Sequence, residues 1–167
     1  MGIIDHLQHQ DFVYRDLNPS NVMINHNKIA SIINFDRMVK NEDTYKYDYI
    51  CDHSLISVFT APEIEDAEIT DKSIDVYSIG QMIYYIMNER IPTRKCHKTL
   101  IFEQNPKLFE IYQKCIDENS FDRPSVRTIL GDISRFYVWH LLDYLKNYVS
   151  IKFPDKDVEK FIDEMKS

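Results

Sequence analysis

A chain of 167 residues that is 44% hydrophobic and 28% charged has the size and balance of one soluble globular domain with its own core, which argues against two independent domains. Its formal charge of −7, from 20 Lys and Arg against 27 Asp and Glu, comes with cations scattered rather than gathered in a stripe, which argues against a nucleic-acid partner. No run approaches about eighteen uninterrupted apolar residues, and the first residues hold no basic region followed by an apolar one, so membrane spanning and secretion lose support.

In chain order, Ile3, Ile4 and Leu7 stand at helical spacing and start abruptly after Met1 and Gly2, as if at the end of a longer helix. Val22 to Ile24 and Ile29 to Ile33 are short apolar pieces around the turn-prone Asn25-His26-Asn27, which predicts a small hairpin. Residues 37 to 60 are polar and tyrosine-rich without sustained period, a long loop holding Thr44, Tyr45, Tyr47 and Tyr49. From Ser73 to Asn88 the apolar residues cover every face of a helix, which predicts a buried central helix.

Leu108, Phe109, Ile111, Tyr112, Cys115 and Ile116 form a one-sided helical stripe. Val126, Ile129, Leu130, Ile133 and Tyr137 begin another that extends to about residue 149, with Pro124 suited to its start. After Pro154, Asp155 is placed to cap a last helix with Val158, Phe161, Ile162 and Met165 on one face. Cys51, Cys96 and Cys115 lie far apart, forming neither a CxxC pair nor an even set, and read as reduced thiols in a cytosolic or nuclear compartment. The glycines, Gly2, Gly80 and Gly131, are too dispersed for a phosphate-cradling GxGxxG loop.

Five strings carry the chemistry. Tyr14-Arg15-Asp16-Leu17-Asn18-Pro19-Ser20-Asn21 resembles the catalytic loop of protein kinases, written HRDLKPxN or YRDLKPxN. Asn34-Phe35-Asp36 stands where that family has its metal-binding DFG, Ala61-Pro62-Glu63 matches its APE, and Asp75-Val76-Tyr77-Ser78-Ile79-Gly80 resembles DVWSxG. Asp122-Arg123-Pro124-Ser125 then matches RPS. An aspartate and an asparagine in one loop more often bond nearby backbone groups, but this many matches in the right order resemble one family.

The resemblance implies a mainly α fold: the family's C-terminal lobe, a helical bundle around a buried central helix with a small β-hairpin at the catalytic loop and the N-terminal β lobe absent. It spans residues 1–149, with 150–167 as a helical extension. It places Asp16 as the proton acceptor with Asn18 in the position of the loop lysine. It places Asn21 and Asn34 at the nucleotide and metal positions, with Asp36 as a displaced metal ligand. Arg15, Glu63, Asp75 and Arg123 take structural roles: Asp75 holds the catalytic-loop backbone, and Glu63 pairs with Arg123.

The departures imply lost chemistry. Asn34 lacks the carboxylate that would bind a phosphate-bridging metal, Asp36 replaces a glycine, Asn18 replaces a lysine, and the phosphate-covering loop and its lysine have no counterpart. The expectation is a catalytically impaired regulatory or protein-binding module without a cofactor of its own; ATP and Mg2+ would belong to a complete active form. Its expected partner is another protein or the missing lobe. The alternatives are a fragment of an active protein kinase, a small-molecule phosphotransferase whose second motif reads IDFD, and an unrelated helical interaction domain with accidental motifs. The stretch between Pro92 and Pro106 is shorter than the family's usual connection, so a helix used there for docking is missing or replaced.

Overall fold

The computed structural model describes residues 1–41, 57–65, 71–94 and 99–138. Two compact units divide the chain, Met1–Leu130 and Gly131–Ser167, and each is described by itself. The readings at Thr44, Tyr45, Tyr47 and Tyr49, at Cys51 and Cys96, and along the helix after Pro154 lie outside the described residues, as does the boundary at 149.

The first unit opens with α1 (Gly2–His9), which has no side-chain cap and buries Ile4. Asp11, in the left-handed region with φ 63°, turns the chain into β1 (Phe12–Val13). After a 3-10 turn at Pro19–Asn21, strands β2 (Val22–Ile24) and β3 (Ala30–Ile32) form the antiparallel hairpin with Val22 opposite Ile32. Its turn is built by Asn25, whose Oδ1 accepts the N–H groups of Asn27 and Ile29 at 2.9 and 3.0 Å. Lys28 closes it at φ 63°. An asparagine that satisfies its own turn is why this short apolar pair folds locally.

The loop expected from residue 37 onward is corrected at its start. Val39–Lys40 forms β4, antiparallel to β1, with Phe12 opposite Lys40 and Val13 opposite Val39. Two residues are too short to show a period of two, and the partner lies far back in the sequence. Beyond it, α2 (Pro62–Glu65) leads towards α3 (Ser73–Asn88).

The first half of α3 is sealed: Ile74 through Gln81 are all buried, including Asp75, Ser78 and Gln81. The expectation of burial on every face fails at the last turns, where Ile86 is 64% exposed, because the helix outruns its neighbours before Glu89 ends it at φ 51°. The main contact of α3 is with α5 (Pro106–Cys115), reached through the short α4 (Leu100–Gln104), which Thr99 caps. Gly80 makes this packing possible. A Cβ there would lie 2.7 Å from both Cys115 Cβ and Ile116 Cγ2.

Around that contact Tyr84, Phe102, Phe109 and Tyr112 form an aromatic cluster, with Phe102 stacked on Tyr112 at 5.0 Å between ring centres. The buried members, Tyr84, Phe102 and Tyr112, each contribute about 1.5–3 kcal/mol by leaving water. Helical residues 126–130 close the unit. Pro124 does not start this helix; it precedes the cap, Ser125, whose Oγ accepts the Thr128 N–H at 3.1 Å. In the second unit residues 131–138 are helical, with Arg135 paired to Asp132. Among the described residues no helix is long and apolar enough to cross a membrane.

Candidate functional site

The site begins beneath itself, at Asp75. Its carboxylate accepts the backbone N–H of Arg15 at 2.8 Å and of Tyr14 at 3.0 Å, and the Gln8 amide reaches it at 3.4 Å. Burial pushes the Asp75 carboxyl above its ordinary value, and these donors together with the Arg15 charge oppose the rise. The bonds hold Arg15 at φ 71°, a left-handed conformation that a side-chain-bearing residue adopts at a cost of about 1–2 kcal/mol.

Tyr14 ties the loop to the hairpin. Its hydroxyl donates to the Ile33 carbonyl at 2.5 Å, and its ring meets Phe35 edge-on at 5.6 Å. Burial, with the charges of Asp16 and Asp75 adding to it, pushes the phenol up to about 12. Burial also draws the Arg15 guanidinium below its usual value; attraction to Asp75 opposes this and repulsion from Arg37 adds to it.

Asp16 is the most engaged polar group above that base. Asn18 Nδ2 donates to its Oδ1 at 3.0 Å and Asn21 Nδ2 to its Oδ2 at 2.8 Å, while Arg37 stands 3.6 Å from Oδ1. The side chains are 26% (Arg37) and 18% (Asp16) exposed, so water only partly screens the pair. Asn18 also caps the Pro19–Asn21 turn by accepting the Ser20 N–H. The Ile33 N–H donates to the Asn21 carbonyl at 3.0 Å, joining the turn to the end of β3. Asn34 follows at φ 62°, a region that asparagine tolerates better than most residues.

Asp16, Asn18, Asn21, Asn34, Asp36 and Arg37 line one open cavity of about 720 Å³. The expected site residues of the cleft are therefore together. The same cavity is lined by the apolar Phe59, Tyr85 and Ile91, with Phe59 and Tyr85 edge-on at 6.0 Å. This part of the lining is braced by Ser78, whose Oγ donates to the Phe59 carbonyl at 2.8 Å, and by Arg94, which donates to the Ser57 and Thr60 carbonyls at 3.2 and 3.3 Å. Arg15, Asp75, Glu63 and Arg123 stand apart from the cavity lining. Arg123 forms a two-pronged pair with Glu63, one arm at 2.9 Å, and lies over the Tyr77 ring at 5.1 Å. These two side chains are 0% and 9% exposed.

The sequence reading missed Gln8 and Arg94, whose bonds cross long sequence separations, and the hold of Asn18 on Asp16. An asparagine two residues from an aspartate was the available signal for the last of these.

A magnesium ion calls for oxygen ligands in near-octahedral order, usually with carboxylates. Here both oxygens of Asp16 already accept N–H bonds, position 34 offers an uncharged amide, and a guanidinium occupies the neighbourhood. At about 4 Å and an effective dielectric of 20, each pair of like unit charges costs about 4 kcal/mol. Asp36, the expected displaced ligand, is an exposed carboxylate of the same lining, and among the described residues no three His, Cys, Asp or Glu side chains gather to hold a metal ion.

Comparison with known proteins places this geometry. A family model described as the protein kinase domain matches residues 2–166. A chain of Acanthamoeba polyphaga mimivirus named as a serine/threonine-protein kinase is 26% identical over 148 residues, 80% of this chain and 52% of that one. Sperm motility kinase 3A of Mus musculus is 28% identical over 97 residues, 58% of this chain and 19% of its own length. The dual specificity protein kinase shkA of Dictyostelium discoideum is 25% identical over 149 residues, covering 80% and 28%. The chain thus spans about half the length of the viral relative and less of the others.

Proposed function

This chain belongs to the protein kinase family, and from that premise we propose that it is a non-catalytic form of the family's helical lobe that acts as a protein-binding or regulatory module. The observation that carries the reading is Asn34, an uncharged amide in the lining of the cleft. Phosphoryl transfer depends on positioning and on neutralising charge around the transferred group. Asn34 adds no negative charge for a bridging metal.

The buried groups below the cleft support a scaffold role. Asp75 and the Glu63–Arg123 pair bear on the fold, and neither needs a nucleotide.

A polypeptide partner is favoured by the hairpin. Met23, Ile24 and Ile29 are 59%, 67% and 59% exposed on a two-stranded sheet, which has little stability uncovered. A cytosolic or nuclear setting belongs to the same proposal.

A second reading, a piece of an active kinase completed by another polypeptide, is favoured by the 2.8 Å bond between Asn21 and Asp16, which keeps those two groups in register. One assay separates the two. The chain is incubated with labelled ATP, magnesium and general protein substrates, and no transfer of the γ-phosphoryl group is expected. Magnesium-dependent transfer that the Asp16→Asn variant abolishes would establish the second reading and end the first.

A further inference from the structure

The middle of α3 carries a polar pair that the cleft does not use. Gln81 and Tyr77, one helical turn apart, are 0% and 3% exposed. Gln81 Nε2 donates to the Tyr77 hydroxyl at 2.9 Å and to the Thr93 carbonyl at 3.4 Å. Independently of the non-catalytic reading above, we infer that one internal water completes this group. It accepts the Tyr77 O–H and donates to Gln81 Oε1, and so ties the central helix to the chain after Pro92.

Three observations support that water. The first is the amide oxygen. Gln81 Oε1 is buried and, among the described residues, meets no hydrogen-bond donor. A carboxamide oxygen is an acceptor with two lone pairs, and leaving one unmet inside a protein is costly. Buried polar atoms therefore nearly always have a partner, either protein or water.

The second is that turning the amide over does not remove the orphan. The oxygen would then accept from the Tyr77 hydroxyl, but it would stand against the Thr93 carbonyl, oxygen to oxygen. The N–H groups would be left pointing where Oε1 now lies, without an acceptor. One end of the side chain lacks a partner in either orientation.

The third is an unused donor in the same group. The Tyr77 hydroxyl accepts from Gln81, and its own hydrogen meets no acceptor among the described residues. The Tyr77 ring is held beneath the Arg123 guanidinium at 5.1 Å, which fixes where that hydroxyl lies. A water can take the tyrosine hydrogen, give one of its own to Oε1, and keep the second for the Thr93 carbonyl. Three partners is the usual number for a water inside a protein.

The test is a crystal structure of the whole chain at a resolution that shows ordered water, alongside Gln81→Met and Tyr77→Phe. The parent is expected to hold one water within about 3.2 Å of both the Gln81 amide oxygen and the Tyr77 hydroxyl. Both variants are expected to lack it, and oxygen-17 relaxation dispersion in solution should count one long-lived water fewer in each. Three results each overturn the inference: a protein donor seated directly on Oε1, no water at the pair in the parent, or a water retained at that place in either variant. If Gln81→Met fails to fold, the parent and Tyr77→Phe, which keeps the ring beneath Arg123, decide.

Discussion

The carboxylate of Asp75 receives the backbone N–H of Arg15 at 2.8 Å across sixty residues of sequence, and the loop that carries Asp16 is thereby hung from the central helix. A buried acid is doing the work of a hinge pin: it fixes two successive amides, of Tyr14 and Arg15, and with them the left-handed turn that presents the next side chain to the cleft.

Replacing Asp75 with Asn should therefore cost about 1–3 kcal/mol, because an amide N–H would face one of the two amides and leave it without an acceptor. The cost should depend on pH in a defined sense. Burial raises the carboxyl in the folded chain above its ordinary 3.8, so the folded state binds that proton more tightly than the unfolded one. The stability that Asp75 contributes then falls as pH rises from about 3.8 through the folded value. Thermal unfolding of parent and variant across that window should show their difference shrinking with rising pH; a difference that grows instead would contradict the raised carboxyl.

The Glu63–Arg123 pair is sealed, so removing one partner should strand a charge. Glu63→Ala or Arg123→Ala is expected to destabilise by about 3–5 kcal/mol. The double exchange Glu63→Arg with Arg123→Glu should recover part of that, as read from denaturant unfolding. Two small and additive losses would mean that the residues do not act as a pair.

In an ordinary helix interior a change from Gly to Ala stabilises by about 1 kcal/mol. At Gly80 the sign should reverse. The added methyl group would sit 2.7 Å from Cys115 and Ile116, and overpacking costs about 1–3 kcal/mol. A Gly80→Ala variant that melts higher than its parent would show that α3 and α5 are free to separate.

Tyr14→Phe removes the donor to the Ile33 carbonyl and should cost about 1 kcal/mol. It should also delete the tyrosinate absorbance step that burial has moved to about 12. An alkaline difference titration of parent against variant checks this, since the step should be absent at ordinary phenol values.

Much of this architecture was legible in the residues. The hairpin announced itself through Asn25, and the central helix through apolar residues on all sides of Ser73–Asn88, because both signals are local. The protein kinase resemblance rested on strings whose spacing the fold preserves. The β1–β4 pair was not legible, since Val39 and Lys40 carry no period and their partners Phe12 and Val13 are distant. Ile86 misled for a related reason: a sequence gives a helix its faces but not the point where its neighbours stop. The grip of Asn18 and Arg37 on Asp16 depends on rotamers and turn geometry that spacing alone leaves open.

The groups that bear the fold, Asp75, Glu63 and Arg123, lie below the cleft and out of water, while Asn34 and Asp36 face solvent. Exchanges at such wetted positions typically shift stability by no more than about 0.5 kcal/mol. An acid placed at position 34 is therefore expected to change the charge of the cleft and leave the frame beneath it, held by Asp75 and by Glu63 with Arg123, as it is.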